Sequence, residues 1–335
     1  RGPYATDAQH VSVEFIHPVI VGKRALPALD VSAAPLPWIE ALAGPHDMVM
    51  AFGPPEHDPQ AAEPLAAARA RGAMTIGWPF SVAHYAVESP ACDTHVHQEL
   101  FELLGHTLYE SVHVFLEHLS QHETVPGAGF LYPFLGGSRE SDASLLDSVA
   151  ASVGRKCADA GALRTRVAGE QLGAIAAAVH AVKARIELGG RILAFGNGGS
   201  ATDATDFALD CICADGGWAP VPALSLALEP AVITATANDV GADLIFLRQL
   251  IAQSKPHDVA FAFSTSGGSR NIVAALEEAK RRGLLTIALL GYDGGEVVRR
   301  ALADIAIVVP SDDIPRIQEA QGTIYHVIRE ALGNA

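Results

Sequence analysis

Positive charge is scarce in this chain. Twenty-three Lys and Arg face 38 Asp and Glu, for a formal net charge of −15. A nucleic-acid binder needs a basic footprint, so nucleic acid is not an expected partner. A small anionic substrate stays open, because backbone N–H groups at a helix N-terminus hold a phosphate without net positive charge. Cysteine is scarce too: Cys92, Cys157, Cys211 and Cys213 are the four in 335 residues, with no Cys-x-x-Cys pair. That excludes a disulfide scaffold and points to a reducing compartment, the cytoplasm. Cys211 and Cys213 alternate and read either as buried packing residues or as two ligands for a soft metal. No uninterrupted apolar run reaches about 18 residues, so neither a transmembrane helix nor a membrane partner is expected. No secretory signal pattern opens the chain. It begins on Arg1 inside what reads as a domain, so an upstream segment of that domain is expected.

What is present is a globular composition, 49% apolar and 18% charged, rich in Ala, Val, Leu and Gly. The length suits about two domains and the composition suits α/β layers. In the second half, residues 166–189 have the pattern of an amphipathic helix closed by Gly189-Gly190. Short apolar runs follow at 191–196, 221–227, 258–264, 284–291 and 304–310, most of them separated by stretches of helical composition. That rhythm predicts a parallel sheet with helices on both faces.

The first half repeats this pattern in shorter form. The opening RGPYATDAQHVSVEF lies on GNGGSATDATDFALDC: Ala5-Thr6-Asp7-Ala8 meets Ala201-Thr202-Asp203-Ala204, and Glu14 meets Asp210. Residues 46–78 lie without gaps on 257–289, pairing His46-Asp47 with His257-Asp258, Phe52 with Phe263, Leu65 with Leu276 and Gly72 with Gly283. Further on, Pro90, Asp93 and Gln98-Glu99 match Pro310, Asp313 and Gln318-Glu319. Pro27-Ala28-Leu29 matches Pro222-Ala223-Leu224. This is duplication of a whole domain. We place the first copy at residues 1–122, a Gly/Pro/Ser-rich linker at 123–141, and the second copy at 142–335, opened by a helix over 142–161.

Two glycine loops carry chemistry. AFGNGGSATDA follows a predicted strand and opens a predicted helix, so its backbone can approach a phosphate. Gly196-x-Gly198-x-x-Ala201 also fits a loose dinucleotide fingerprint. FSTSGGSRN sits in the same context, with Ser264, Thr265, Ser266 and Ser269 around Gly267-Gly268. It reads as a phosphomonoester cradle, or as a plain turn with a serine N-cap. Neither loop has the Lys of a P-loop, so nucleotide triphosphate hydrolysis is not expected.

In order, GNGGSATDA, TANDVGADLIFLRQ, STSGGSRN, GYDGGE and RIQEAQGTIYH resemble the sugar isomerase (SIS) domain family, and within it the phosphoheptose isomerases. The resemblance covers residues 166–335 well and the first half as a degenerate copy. It implies a three-layer α/β/α sandwich of flavodoxin-like topology with a five-stranded parallel sheet, here in two tandem copies. It also implies a homo-oligomer with sites between subunits, a sugar-phosphate substrate, and aldose–ketose isomerisation through an enediol, an intramolecular oxidation–reduction. Family members carry His-x-x-x-Glu after the GNGGS loop, and a Gln and a His eight residues apart on the last helix. These four can hold zinc or another divalent metal, and the Glu and the last His are the expected base and acid.

This sequence divides those residues between its copies. The second keeps Asn197, Ser200, Asn238, Asp239, Ser264, Thr265, Ser266 and Ser269 for the substrate, and Gln318 and His326, but has Asp206 and Asp210 for His-x-x-x-Glu. The first has the metal set His10, Glu14, Gln98 and His106, but Tyr4 replaces the loop serine, GPPEHDPQ replaces the cradle, and the segment matching NDVGADLIFLRQ is missing. Lys23 and Arg24 stand where the family has a basic residue that the second copy lacks. His10 and Glu14 share a helix face. Gln98 and His106 lie two turns and about 80° apart, so the fold must bring the pairs together. Taken singly, each His is equally a core or solvated imidazole. Asp206, Asp210, Gln318 and His326 form a second metal candidate, harder and better suited to oxygen-preferring cations, or Asp206 and Asp210 are a solvated helix face. The catalytic candidates are Glu14, His106, Asp210, Gln318 and His326. The expected function is a phosphosugar isomerase of this kind. The alternative is an inactive sugar-phosphate-binding regulator or scaffold.

Overall fold

The apolar runs of the second half form strands, and each lies within a residue or two of its sequence-based bounds. The computed structural model describes residues 4–18, 23–55, 59–90, 93–120, 142–213 and 218–333. The proposed linker, 123–141, and Cys92 lie outside the described residues. The chain divides into two compact units, Asp7–Ala162 and Leu163–Ala335, the latter joined by Arg1–Thr6.

In chain order the elements are α1 (Tyr4–Ile16), α2 (Pro35–Leu42), β1 (Met48–Phe52), α3 (Pro59–Ala70), β2 (Met74–Trp78), β3 (Tyr85–Ala86) and α4 (Thr94–Ser120). Then come α5 (Asp142–Glu187), β4 (Ile192–Phe195), α6 (Gly199–Ile212), β5 (Ala223–Ser225), α7 (Pro230–Asp239) and α8 (Ile245–Gln253). The last are β6 (Val259–Ser264), α9 (Arg270–Arg281), β7 (Leu285–Gly291), α10 (Gly295–Arg299), β8 (Ile305–Val309) and α11 (Ile314–Gly333). The two helices read at 142–161 and 166–189 are one 46-residue helix, α5. Residues 162–165, Ala-Leu-Arg-Thr, contain no breaker, so nothing interrupts the hydrogen-bond ladder. It ends where Gly189 takes φ +82°, and the N–H groups of Gly189 and Gly190 return to the carbonyls of Ile186 and Arg185.

The larger unit carries a five-stranded parallel sheet in the order β5-β4-β6-β7-β8. The order reverses beside β4, the doubly wound arrangement with flavodoxin-like topology. Strands β4, β6 and β7 are buried along their whole length, which is why their sequences are unbroken apolar runs and do not alternate. Side chains still alternate between two cores. Phe261 and Phe263 pack with Phe207, Val182, Ile317 and Ile324 on one face. Ala260 and Ala262 pack with Phe195, Phe246, Ile272 and Leu276 on the other. The result is a three-layer α/β/α sandwich.

The smaller unit has a three-stranded parallel sheet, β1-β2-β3. It reproduces the larger sheet at hydrogen-bond resolution. Met48 pairs with Met74 where the aligned Val259 pairs with Leu285. Ile76 pairs with Tyr85 where Ile287 pairs with Ile305. Helix α3 begins and ends at the residues aligned with the ends of α9. Residues 27–29 have no strand, although their counterparts lie in or beside β5. In the larger unit β5 pairs only with β4, and among the described residues the smaller unit has no counterpart of β4 for an edge strand to join.

Candidate functional site

In the larger unit, the loops after β4, β6 and β7 gather at the carboxyl ends of the strands, where open α/β sheets place ligands. Strand β6 ends at Ser264, and α9 begins six residues later. The Ser264 hydroxyl accepts the Gly267 N–H at 3.0 Å, and the Ser266 hydroxyl accepts the Gly268 N–H at 3.2 Å. Gly267 takes φ +60°, and a Cβ on it would run into the carbonyl of Gly294. The Gly291 N–H donates to the Thr265 carbonyl and the Val297 N–H to the Gly267 carbonyl. Loops 264–269 and 291–295 thus hold each other backbone to backbone. Asn197 and Asn271 exchange two amide hydrogen bonds, at 2.9 and 2.8 Å, which ties the first glycine loop to the start of α9. Gly196 is required there, since a Cβ would run into the backbone of Ser200.

Ser269 is the N-cap of α9, and its side chain makes no capping hydrogen bond. The turn-with-cap reading is therefore the weaker one for this loop. The first-turn N–H groups of a helix lack intrahelical partners, and such groups are suited to hold an anion. Ser266 is exposed, Thr265 and Ser269 are half-buried, and Ser264 and Ser200 are buried. Asp239 is exposed at the end of α7 and accepts the side-chain amide of its neighbour Asn238 at 2.8 Å.

Of the second candidate set, Asp206, Asp210, Gln318 and His326 are all buried. Asp206 is engaged at both oxygens, accepting the Thr6 hydroxyl at 2.7 Å and the Tyr325 phenol at 2.9 Å. The solvated-face alternative for these aspartates is thereby excluded. Asp210 Oδ2 lies 3.8 Å from His326 Nε2, beyond the roughly 2.6–3.2 Å of a proton-transferring contact. Burial pushes the Cys211 thiol well above its ordinary range, which favours packing over thiolate ligation for that residue.

In the smaller unit, α1 and α4 bring His10, Glu14 and His106 together, all buried. His106 Nε2 lies 3.0 Å from Glu14 Oε1, and His10 Nε2 lies 3.8 Å from the same oxygen. The two imidazoles stand edge to face with centroids 5.5 Å apart. Burial pushes the Glu14 carboxyl up, but the His106 and His10 imidazoles outweigh it and hold it far below the usual carboxylate range. The Tyr109 phenol is pushed up by burial and by the Glu14 charge. Gln98 is buried on the same helix, and its amide donates to both carboxylate oxygens of Asp7, at 3.2 and 3.3 Å. Lys23 and Arg24 lie in an irregular segment after α1.

The sequence reading missed Glu102. One donor atom each from His10, Glu102 and His106 lie within 4.8 Å of one another. The spacing Glu102-x-x-x-His106 put both on one helix face and was a legible signal. Imidazole nitrogens and carboxylate oxygens are a donor set that divalent transition metals accept, so these residues could hold such an ion.

Comparison with known proteins matches residues 157–291 to the SIS domain model. The phosphoheptose isomerase of Citrifermentans bemidjiense is 42% identical over 168 residues, covering 49% of this chain and 85% of that protein. That of Sulfurimonas denitrificans is 45% identical over 138 residues, 41% of this chain and 70% of its own. The chain belongs to the SIS-domain family. The solved phosphoheptose isomerase of Francisella tularensis superposes with a TM-score of 0.53 at 31% identity, over 55% of this SIS protein and 97% of its own chain. The C-terminal domain of glucosamine-fructose-6-phosphate aminotransferase from the same organism superposes over 100% of this chain and 82% of its own, with a TM-score of 0.58. At 11% identity that likeness concerns the fold alone. The sequence relatives cover about half of the SIS chain. Among the described residues, no helix is long and apolar enough to cross a membrane.

Proposed function

We propose that this SIS protein is a phosphosugar isomerase of the phosphoheptose isomerase kind, interconverting a ketose and an aldose phosphate through an enediol. The observation that carries the reading is the loop Ser264–Ser269, braced by its neighbours and opening an α9 whose N-cap hydroxyl is not spent on the helix. Ser264, Thr265, Ser266 and Ser269 hold the phosphate, with Asn197 and Ser200 on the adjoining loop and Asp239 toward the sugar hydroxyls. A carboxylate base takes the proton from C1 of the ketose and an acid protonates the C2 oxygen, giving the enediol. Return of the carbon proton to C2, with the C1 hydroxyl proton passing to the deprotonated acid, gives the aldose. The sugar is oxidised at one carbon and reduced at the next, so no external oxidant enters and the class is isomerase. In the smaller unit Glu14 is the proposed base and His106 the proposed acid. In the larger unit Asp210 and His326 are the corresponding pair, with Gln318 beside them in sequence register.

A divalent metal, zinc or another, would be held by His10, Glu14, Gln98 and His106. The second candidate set is Asp206, Asp210, Gln318 and His326. Such an ion supplies Lewis-acid polarisation of the sugar oxygens. The protein is proposed to act as a homodimer or higher homo-oligomer in the cytoplasm.

A second reading has a specific observation behind it. Both oxygens of Asp206 are held by Thr6 and Tyr325, and Asp210 stands 3.8 Å from His326. That suits a sugar-phosphate-binding regulator or scaffold without turnover. The two readings separate when the protein is incubated with sedoheptulose 7-phosphate in deuterated water, with and without zinc, and C1–C2 exchange is followed by NMR. Exchange abolished by a chelator supports a metal-assisted isomerase. Binding without exchange supports the regulator.

A further inference from the structure

We propose that Glu102, rather than Gln98, completes a divalent transition-metal site formed with His10 and His106 in the smaller unit. The inference rests on the reading that this unit holds a metal, and it changes which residues do so and which ions suit them.

Two observations carry it. The first is reach. Metal–ligand bonds of about 2.0–2.2 Å place ligand atoms roughly 3–4 Å apart. The donor atoms of His10, Glu102 and His106 already lie within 4.8 Å of one another, so one ion draws them in with small side-chain movements. Glu102 is one turn from His106 and about 40° around the helix, whereas Gln98 is two turns away and about 80° around. The second comes from the other repeat. The residue aligned with Glu102 is Gly322, on the copy whose His-x-x-x-Glu has become Asp206 and Asp210. The copy that keeps the histidine has the extra carboxylate, and the copy that lost it has no side chain there.

Charge balance favours the same set. Glu14 and Glu102 bring two negative charges next to two imidazoles in a buried site, and a dication neutralises them with both imidazoles uncharged. Glu14 Oε1, 3.0 Å from His106 Nε2, orients that ring in the manner of a carboxylate behind a metal-bound histidine. Two imidazoles and one carboxylate suit Mn²⁺, Fe²⁺ or Co²⁺ as well as zinc.

The test uses the full chain, stripped with a chelator and titrated with Co²⁺, reading both the binding isotherm and the visible ligand-field spectrum. We expect Glu102→Gln to weaken Co²⁺ at least about tenfold and to shift the spectrum. Glu102→Asp, which keeps the carboxylate, should hold a wild-type-like spectrum with weaker binding. Gln98→Ala should change affinity less than about threefold. The opposite pattern, with Gln98→Ala losing the ion and Glu102→Gln binding as wild type, overturns the ligand assignment and leaves the metal reading standing. A wild-type chain that takes up no Co²⁺ overturns both.

Discussion

Thr75 and Thr286 occupy the same position in the two repeats, at the second residue of a central strand. The Thr286 hydroxyl and N–H both donate to the Asp304 carboxylate, and the Asp304 N–H donates back to the hydroxyl. Thr75 forms the same triangle with His84, the residue aligned with Asp304. Asp47 accepts the Gly44 N–H at 2.8 Å where Asp258 accepts the Lys255 N–H at 2.8 Å. The backbone frame has been kept through a change in the side chain that completes it. The chemistry has not. One repeat holds a braced glycine-serine loop and a pair of aspartates, the other a buried His/Glu cluster and, in sequence, GPPEHDPQ in place of that loop. Register is enforced by many backbone hydrogen bonds at once, and a slip of one residue turns every side chain to the wrong face. A site depends on a few side chains and can drift in one copy while the other retains it.

The largest test of that division is the double variant Ser266→Ala, Ser269→Ala. Two lost hydroxyl–phosphate hydrogen bonds, at about 1.5–3 kcal/mol each, should weaken phosphosugar binding by more than about a hundredfold. Calorimetry that finds unchanged affinity removes the cradle. A smaller effect is expected at Gly267, where φ is +60° and the Gly294 carbonyl blocks a Cβ. Gly267→Ala should lower unfolding stability by about 2–3 kcal/mol in urea, and a change within error would mean the two loops are not locked. Next comes the shared triangle. Thr286→Val and Thr75→Val should each cost about 1–2 kcal/mol, and a cost confined to one repeat would show that the His84 version is not equivalent to the Asp304 version.

The smallest expected effect is on pH dependence. Glu278 is held by Arg281 and Arg282 at 2.5–2.8 Å. The hydrogen bond from Arg281 leads in bringing its carboxyl from 4.5 down to about 2. A carboxyl with a lowered folded value binds fewer protons folded than unfolded. Its stabilisation is therefore complete above about pH 4.5 and is lost as the pH falls toward 2. The aligned residue of the first repeat is Ala67. Glu278→Gln should flatten the acid limb of the stability curve, and an unaltered limb would place the acid sensitivity elsewhere.

Much of the fold could be read from particular residues. His46-Asp47 against His257-Asp258 and Gly72 against Gly283 set an alignment whose strand pairings coincide residue for residue. The sequence reads α5 as two helices, 142–161 and 166–189, while helix continuity needs only the absence of a breaker. Residues 27–29 align with part of an edge strand yet form none, because strand formation there depends on a partner and not on local propensity. In the candidate site, His10, Glu14 and His106 followed from spacing. Glu102 did not, because it lies outside the four-residue pattern that the family carries, although it is one turn from His106.

By itself the sequence determined the duplication, the register, the buried parallel strands and the loop from Ser264 to Ser269, since each is written in local order: apolar runs, glycines where backbones meet, hydroxyls beside a helix start. Only the tertiary structure decided that Asp206 spends both oxygens on Thr6 and Tyr325, that the Gln98 amide turns to Asp7, and that a Glu102 oxygen lies within 4.8 Å of a His10 nitrogen. Those outcomes depend on which side chains project from elements far apart in the chain into the same few ångströms, and spacing along one helix fixes a direction without fixing what stands opposite.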